Sequence, residues 1–269
     1  MTSTRDNPGA FNVRSTQRLG DIATKAFRRL RNRDYSGAAL GTFVDSLNLF
    51  EATATNSRTK RYRCSCCGYE AHAFQHIVSG HRVVWNSACP GCNSRSRHRG
   101  LAVLLPRLLD QRQPKRVLHF APEPVLRRFF ADRNLTYETA DLYLEDATHS
   151  QIDVQNMPFA DGSYDFVLCN HVLEHVADDG AALAEIARVL APSGVAVITV
   201  PGDFRRVETV LFEGELPNGH FRDYGLDLIP RLETAFTKVD AIDMHSFDRE
   251  REGLSHAIRA RDMVFVCER

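Results

Sequence analysis

The chain has 269 residues, 43% of them apolar, enough for a sizeable core in one large domain or a medium domain with an appendage. No apolar run approaches the roughly 20 residues that a membrane-spanning helix needs, which excludes one. The arginine-bearing N-terminus lacks the apolar segment of a secretory signal. Net charge is zero, yet residues 1–99 hold 16 Lys and Arg against 6 Asp and Glu, and residues 100–269 hold 18 against 28. A basic front suits anionic partners, or the docking of two oppositely charged modules of one chain. Eight Lys and Arg in the first 33 residues read as a solvated basic helix in preference to a transit peptide.

Residues 1–20 are polar and irregular. Ile22, Ala26, Phe27 and Leu30, then Leu40, Phe43, Val44 and Leu47, recur at helical spacing. These predict two amphipathic helices separated by Asp34–Gly37, with a packing role and no chemistry. Next, Cys64-Ser65-Cys66-Cys67 and Cys89-Pro90-Gly91-Cys92 form two C-x2-C knuckles with 21 residues between them. Two such turns present four thiolates, Cys64, Cys67, Cys89 and Cys92, and close a tetrahedral zinc shell with no open position. Gly68 and Gly91 give the turns their backbone freedom, and His76–Trp85 supplies the strands of a zinc-ribbon hairpin. Cys66 reads as a bystander that can substitute for Cys64 or Cys67; Cys169 and Cys267 read as inert thiols in strands. Cysteines at metal spacing, with no signal segment, point to a reducing cytoplasm.

Arg95, Arg97 and Arg99 in NSRSRHR either fork onto an anionic substrate group or form a solvated basic rim. Leu101, Leu104, Leu105, Leu108 and Leu109 then mark an amphipathic helix. From Lys115 onward strands and helices alternate. Strands are predicted at Arg116–Phe120, Tyr137–Ala140, Gln151–Val154, Tyr164–Cys169, Val195–Val200, Lys238–Met244 and Met263–Cys267. Between them lie a helix opened by Pro122 and burying Val125, Leu126, Phe129 and Phe130, and another capped by Asp178-Asp179 and burying Leu183, Ile186, Ala187 and Leu190. Pro192-Ser193-Gly194 stops that second helix, and a third covers Leu226–Ala235. The pattern predicts an α/β fold: a doubly wound, mostly parallel, seven-stranded Rossmann-like sheet with an antiparallel ending. The expected domains are a helical segment (1–58), a zinc ribbon (59–100) and a catalytic domain (101–269).

Ligands of open α/β sheets bind outside the carboxyl ends of the strands. Asp141, ending the second strand about 20 residues after the first, is placed to accept hydrogen bonds from a ribose diol. Asp153, with the backbone of Val154 beside it, is placed to accept from an exocyclic adenine amine.

Ile152–Asp165 (IDVQNMPFADGSYD) is similar to the D-x(3–4)-LPF-x-DGSFD segment of type 11 S-adenosylmethionine-dependent methyltransferases. NHVLEHV and RVLAPSGVAVITVP are similar to that family's H-x-LEHV and RVLKPGG segments. The resemblance covers about residues 115–269; with the ribbon and the APE loop it extends to a bacterial, ribbon-bearing subgroup. It implies an S-adenosylmethionine site built from His119, Ala121, Glu123, Asp141, Leu142, Asp153, Val154 and Asn170. One departure is visible: the family's glycine-rich D-x-G-x-G loop is here His119-Phe120-Ala121-Pro122-Glu123, which is less permissive of a close backbone approach.

In helical geometry His171, Glu174 and His175 share a face, at i, i+3 and i+4. They read as a general base for O-methyl transfer, or as ligands of Mg²⁺ or a similar ion. In the latter case they resemble the E-x-x-E-H of metal-dependent O-methyltransferases, with His220 as a further ligand. They also read as the H-x-x-E-H of inverted zinc peptidases, or as a brace with no chemistry. The metal-free base is the reading adopted, because imidazole titrates near neutrality and Mg²⁺ prefers oxygen. The expectation is a methyltransferase acting on a sugar, glycan or other polar small molecule. Its alternatives are an RNA methyltransferase and a non-catalytic interaction protein, and no membrane partner is expected.

Overall fold

The computed structural model describes residues 22, 24–25, 35–54, 59–79, 82–131, 133–213, 219–248 and 253–269. The predicted irregular start and most of the first predicted helix lie outside them. Two compact units form: Met1–Arg99 with Arg249–Ala257, and Gly100–Asp248 with Ile258–Arg269. The sequence reading ran the last domain unbroken to residue 269, whereas, among the described residues, 253–257 belong with the first unit.

In the first unit, helix α1 (Tyr35–Ala54) already includes Ser36 and Gly37, where a break was expected. Two antiparallel pairs follow, β1 (Tyr62–Arg63) with β2 (Glu70–Ala71) and β3 (Gln75–Ser79) with β4 (Arg82–Ala88). Asn48 of α1 brackets the His76 backbone: its Oδ1 accepts from the amide at 2.7 Å and its Nδ2 donates to the carbonyl at 2.8 Å.

Arg99, fully buried, organises this unit. Its Nε donates to the His256 carbonyl (2.6 Å), Nη1 to Ser87 and Ser94 (3.0 and 2.6 Å), and Nη2 to Asn86 and Ala257 (3.4 and 2.7 Å). Guanidinium has five N–H donors, and here each meets a main-chain carbonyl. The plane also lies over the Phe74 ring, 5.0 Å from its centroid. Arg99 is therefore not available to a substrate anion, and that expectation is withdrawn for it.

In the second unit, a seven-stranded sheet runs in the order β12-β13-β9-β8-β5-β6-β7. Its strands are β5 (Arg116–Phe120), β6 (Thr136–Asp141), β7 (His149–Ser150), β8 (Tyr164–Asn170), β9 (Leu190–Thr199), β12 (Lys238–Asp243) and β13 (Met263–Glu268). β5 through β9 are parallel, and β13 lies antiparallel between β9 and β12. The expected Rossmann-like sheet is present. Its third strand lies at His149–Ser150, two residues before the predicted one, because Gln151 turns out of the sheet at φ +59°.

Alternate residues bury on opposite faces, as a sheet covered on both sides requires. Val167, Cys169, Ala196 and Ile198 pack under α4 (Asp179–Val189) and α5 (Leu228–Ala235). Phe166, Leu168, Val195 and Val197 pack under α2 (Ser96–Arg112) and the short α3 (Pro124–Arg127). Asp178 caps α4 by accepting from the Ala181 amide at 2.9 Å. The helix stops at Val189, one residue before expected, and Leu190 already pairs with Tyr164 in the sheet.

Arg99→Lys is expected to destabilise the first unit by about 3–5 kcal/mol, since three ammonium donors on a flexible stem leave buried carbonyls unmet. Urea unfolding followed by fluorescence of Trp85, the single tryptophan, reads this directly as a lowered midpoint.

Candidate active site

The order of the sheet puts its switch point between β5 and β8, each of which continues the sheet away from the other. Register aligns Phe120 with Ala140 and Cys169, and Asn170 with Thr199, so four strand ends open into one crevice.

A polar chain floors this crevice. Tyr137 Oη and His119 Nδ1 share a hydrogen bond (2.8 Å), and His119 Nε2 lies 3.6 Å from Glu123 Oε2. Asn170 Nδ2 donates to Glu123, and Thr199 Oγ1 donates to Asn170 Oδ1. His119, expected to line a cofactor, has no exposed surface, and Asn170 is nearly as buried. Both support the crevice from beneath. Burial lowers the His119 pKa from its ordinary value, an effect that Glu123 partly opposes.

Ala121 leaves β5 in the left-handed region at φ +47°, and its amide donates to the Ala140 carbonyl at 3.0 Å. The backbone therefore makes the turn that a glycine would make, at a strain of about 1–2 kcal/mol. Asp141 Oδ1 accepts from the Tyr143 and Leu144 amides (2.7 and 2.9 Å), which orders the loop after β6. Leu142 is exposed beside it. Asp153 does not end a strand. Its two oxygens accept from Gln155, from the amide at 2.8 Å and from Nε2 at 3.1 and 3.2 Å, and Val154 is buried.

After β8, His171 is also left-handed (φ +54°), its amide donating to the Thr199 carbonyl at 2.9 Å. Leu173–His175 is one turn of 3-10 helix, not the α-helix assumed from the spacing. The side chains nevertheless converge. His171 Nδ1 is 3.1 Å and His175 Nε2 3.9 Å from Glu174 Oε1. Glu174 is fully buried, and neither of its oxygens accepts a hydrogen bond.

A flap completes the wall, formed by β10 (Val210–Leu211) and β11 (Arg222–Asp223). His175 Nδ1 donates to the Gly219 carbonyl (3.2 Å), the Phe221 amide donates to the Glu174 carbonyl (2.7 Å), and the His175 and His220 rings stand edge-on at 4.7 Å. Burial lowers the His220 pKa, against the pull of Glu174. Arg222 locks the flap. Its Nη2 donates to the Val176 and Ala177 carbonyls (3.1 and 2.6 Å), and its Nη1 is 2.8 Å from Asp179. Sequence reading missed Arg222 and Tyr224, whose hydroxyl donates to Asp179 at 3.1 Å. The only available signal was the polar-aromatic density of GHFRDYG.

In the first unit the sulfurs of Cys64, Cys67, Cys89 and Cys92 lie within 4.8 Å of one another. Cys66 lies beside Cys64 and donates to the His98 carbonyl at 3.4 Å, and it is not one of the four clustered sulfurs. Burial pushes the Cys67 thiol up to about 12, and the neighbouring Cys64 sulfur raises Cys89. Four thiolates in this space therefore call for a cation, and the donor set fits tetrahedral zinc.

Residues 109–198 match the family described as a methyltransferase domain, type 11. An uncharacterized 37.1 kDa protein of transposon Tn4556 from Streptomyces fradiae is 47% identical over 49 residues, covering 18% of this chain and 14% of that protein. The match thus spans about a seventh of that relative's length. Among solved structures, the [4+2]-cyclase SpnF is 19% identical with a TM-score of 0.39, over 54% of this chain and 60% of that one. The 1,6-didemethyltoxoflavin-N1-methyltransferase of Burkholderia thailandensis is 18% identical with a TM-score of 0.46, over 64% and 77%.

Buried neutral His119 makes stability depend on pH. Its folded pKa is depressed while the unfolded chain restores about 6.5, so the unfolded state binds more protons between the two values. This contribution is complete above about pH 6.5 and is lost as pH falls toward the folded value. Urea denaturation across this window should show the parent losing stability relative to His119→Gln by up to about 1.4 kcal/mol per pH unit.

Proposed function

We propose that the protein transfers a methyl group from S-adenosylmethionine to an oxygen of a sugar or other polar small molecule, with a structural zinc in its ribbon. One observation carries this reading. The stretch that matches a methyltransferase domain contains the β5–β8 switch point, where Ala121, Asp141 and Asn170 meet at one crevice. When bound, the cofactor supplies an electrophilic methyl group on a sulfonium.

The chain's own residues fit that cofactor. Asp141 spends Oδ1 on its loop, and its Oδ2 faces the task of accepting from the ribose diol. Glu123, fixed by Asn170, brings a carboxylate toward the cofactor's amino group. Exposed Leu142 offers an apolar edge to adenine. The adenine role of Asp153 requires Gln155 Nε2 to move aside. His171 is the base in this reading. Glu174 Oε1, 3.1 Å from Nδ1, stabilises the imidazolium that forms when Nε2 takes the acceptor's hydroxyl proton, as the oxygen bonds to the methyl carbon and the C–S electrons return to sulfur.

Calorimetric titration of the purified chain with S-adenosylhomocysteine tests the cofactor. The parent should bind. Asp141→Asn, which keeps the loop-capping oxygen but not the charge, should bind tenfold or more weakly, a loss of about 1.5–3 kcal/mol, with its thermal midpoint unchanged. A parent that does not bind removes the reading.

After brief chelation, elemental analysis should find about one zinc per chain, and Cys89→Ser should release it. Full retention in that variant would refute the ribbon assignment.

A further inference from the structure

Glu174 presents a physical problem that methyl transfer alone does not resolve. Its carboxylate has no exposed surface and accepts no hydrogen bond, although a buried charge of this kind costs several kcal/mol unless it is paired. Among the described residues, the groups at ion-pair distance are imidazoles, His171 and His175. A cation bound by this carboxylate would supply the partner that it lacks.

The arrangement also has the geometry of a ligand set. One donor atom each from Glu174, His175 and His220 lies within 4.8 Å of the other two, close enough for small side-chain rotations to bring all three onto one ion. His175 is oriented for it. A carbonyl can only accept, so the bond to Gly219 puts the ring proton on Nδ1 and leaves the Nε2 lone pair on the side of Glu174. Backbone hydrogen bonds from outside a site fix metal-binding histidines in this way. The Phe221 amide, bonded to the Glu174 carbonyl, anchors the chain directly after His220 and so sets that ring beside His175.

We propose that Glu174, His175 and His220 bind a divalent first-row transition ion at the mouth of the crevice. Two imidazoles and one carboxylate suit Zn²⁺, Fe²⁺, Co²⁺ or Mn²⁺ better than Mg²⁺, which prefers an all-oxygen shell. Three protein ligands leave positions open, unlike the closed thiolate cluster of the ribbon, and an open position takes water or an oxygen of the methyl acceptor. His171 remains outside the ligand set, free to act as base. The site itself stands on the geometry of the loop and flap. Only the ion's task of holding the acceptor rests on the methyl-transfer reading.

The test needs neither cofactor nor acceptor, so a failure of that reading leaves it intact. The full chain, briefly chelated so that the ribbon keeps its slowly exchanging metal, is titrated with Mn²⁺ while free ion is followed by electron paramagnetic resonance. The parent should withdraw about one ion per chain. Glu174→Gln and His220→Ala should each weaken that binding at least tenfold while keeping ribbon zinc and parent-like circular dichroism. Co²⁺ added to the same protein should give ligand-field bands without the charge-transfer absorption of thiolate ligation. A parent that leaves Mn²⁺ free, a cobalt spectrum due to thiolates alone, or parent-level binding by both variants would overturn the site. Because the parent's two spectra already decide the matter, a variant that fails to fold does not protect the proposal.

Discussion

The parallel pairing of β5 with β8 is the constraint on which the second unit depends. β5 is followed in sequence by β6 on one side, so the chain must cross over to place β8 on the other. The loops leaving the two strands then diverge to opposite faces of the sheet and leave a cleft between them. Every group given a role in methyl transfer lies on a strand end beside this cleft or on a segment that a strand end holds. Thr199 of β9 contributes twice, through its carbonyl to the His171 amide and through its hydroxyl to Asn170. Sheet order, more than any one motif, gathers the site.

Three of the parallel strands, including the two that border the cleft, leave the sheet in the same unusual way. Ala121 after β5, Gln151 after β7 and His171 after β8 have φ of +47°, +59° and +54°. None is glycine, so each turn stores strain that the surrounding hydrogen bonds must hold. At Ala121 and His171 the restraint is visible, because each amide is tied to the carbonyl of a neighbouring strand. His119–Glu123 therefore makes a positive-φ turn without a glycine. Its price is rigidity, and a backbone held in this way approaches a ligand from a preset position.

Much of the architecture was legible in the sequence because it rests on local patterns. Apolar runs bounded by turn residues mark the central strands, and the spacing of two C-x2-C turns marks a cluster that indeed converges in space. What escaped was set by long-range pairing. Arg99 looked like one of three equivalent arginines; its five acceptors come from residues 86–94 and 256–257, a relation no periodicity encodes. The H-x-x-E-H spacing suggested an α-helix because a non-glycine residue gives no warning of a left-handed turn. Asp153 looked like a strand end, but Gln155, two residues on, competes for its carboxylate. His220 and Arg222 could not be placed without the path of the flap.

The Arg99 contacts also bear on the order in which the protein can be made. Synthesis delivers the cysteine knuckles and Arg99 early, yet two of the carbonyls that receive its guanidinium belong to His256 and Ala257. The Arg63 amide likewise waits for the Ser255 carbonyl, and the His256 ring for the Arg63 carbonyl. Domains that close on themselves can fold as they leave the ribosome, N-terminal first. This one cannot complete itself until more than 150 further residues have emerged. The nascent first unit must persist with a charged side chain short of its partners while most of the sheet domain is assembled behind it, and residues 255–257 then close the unit.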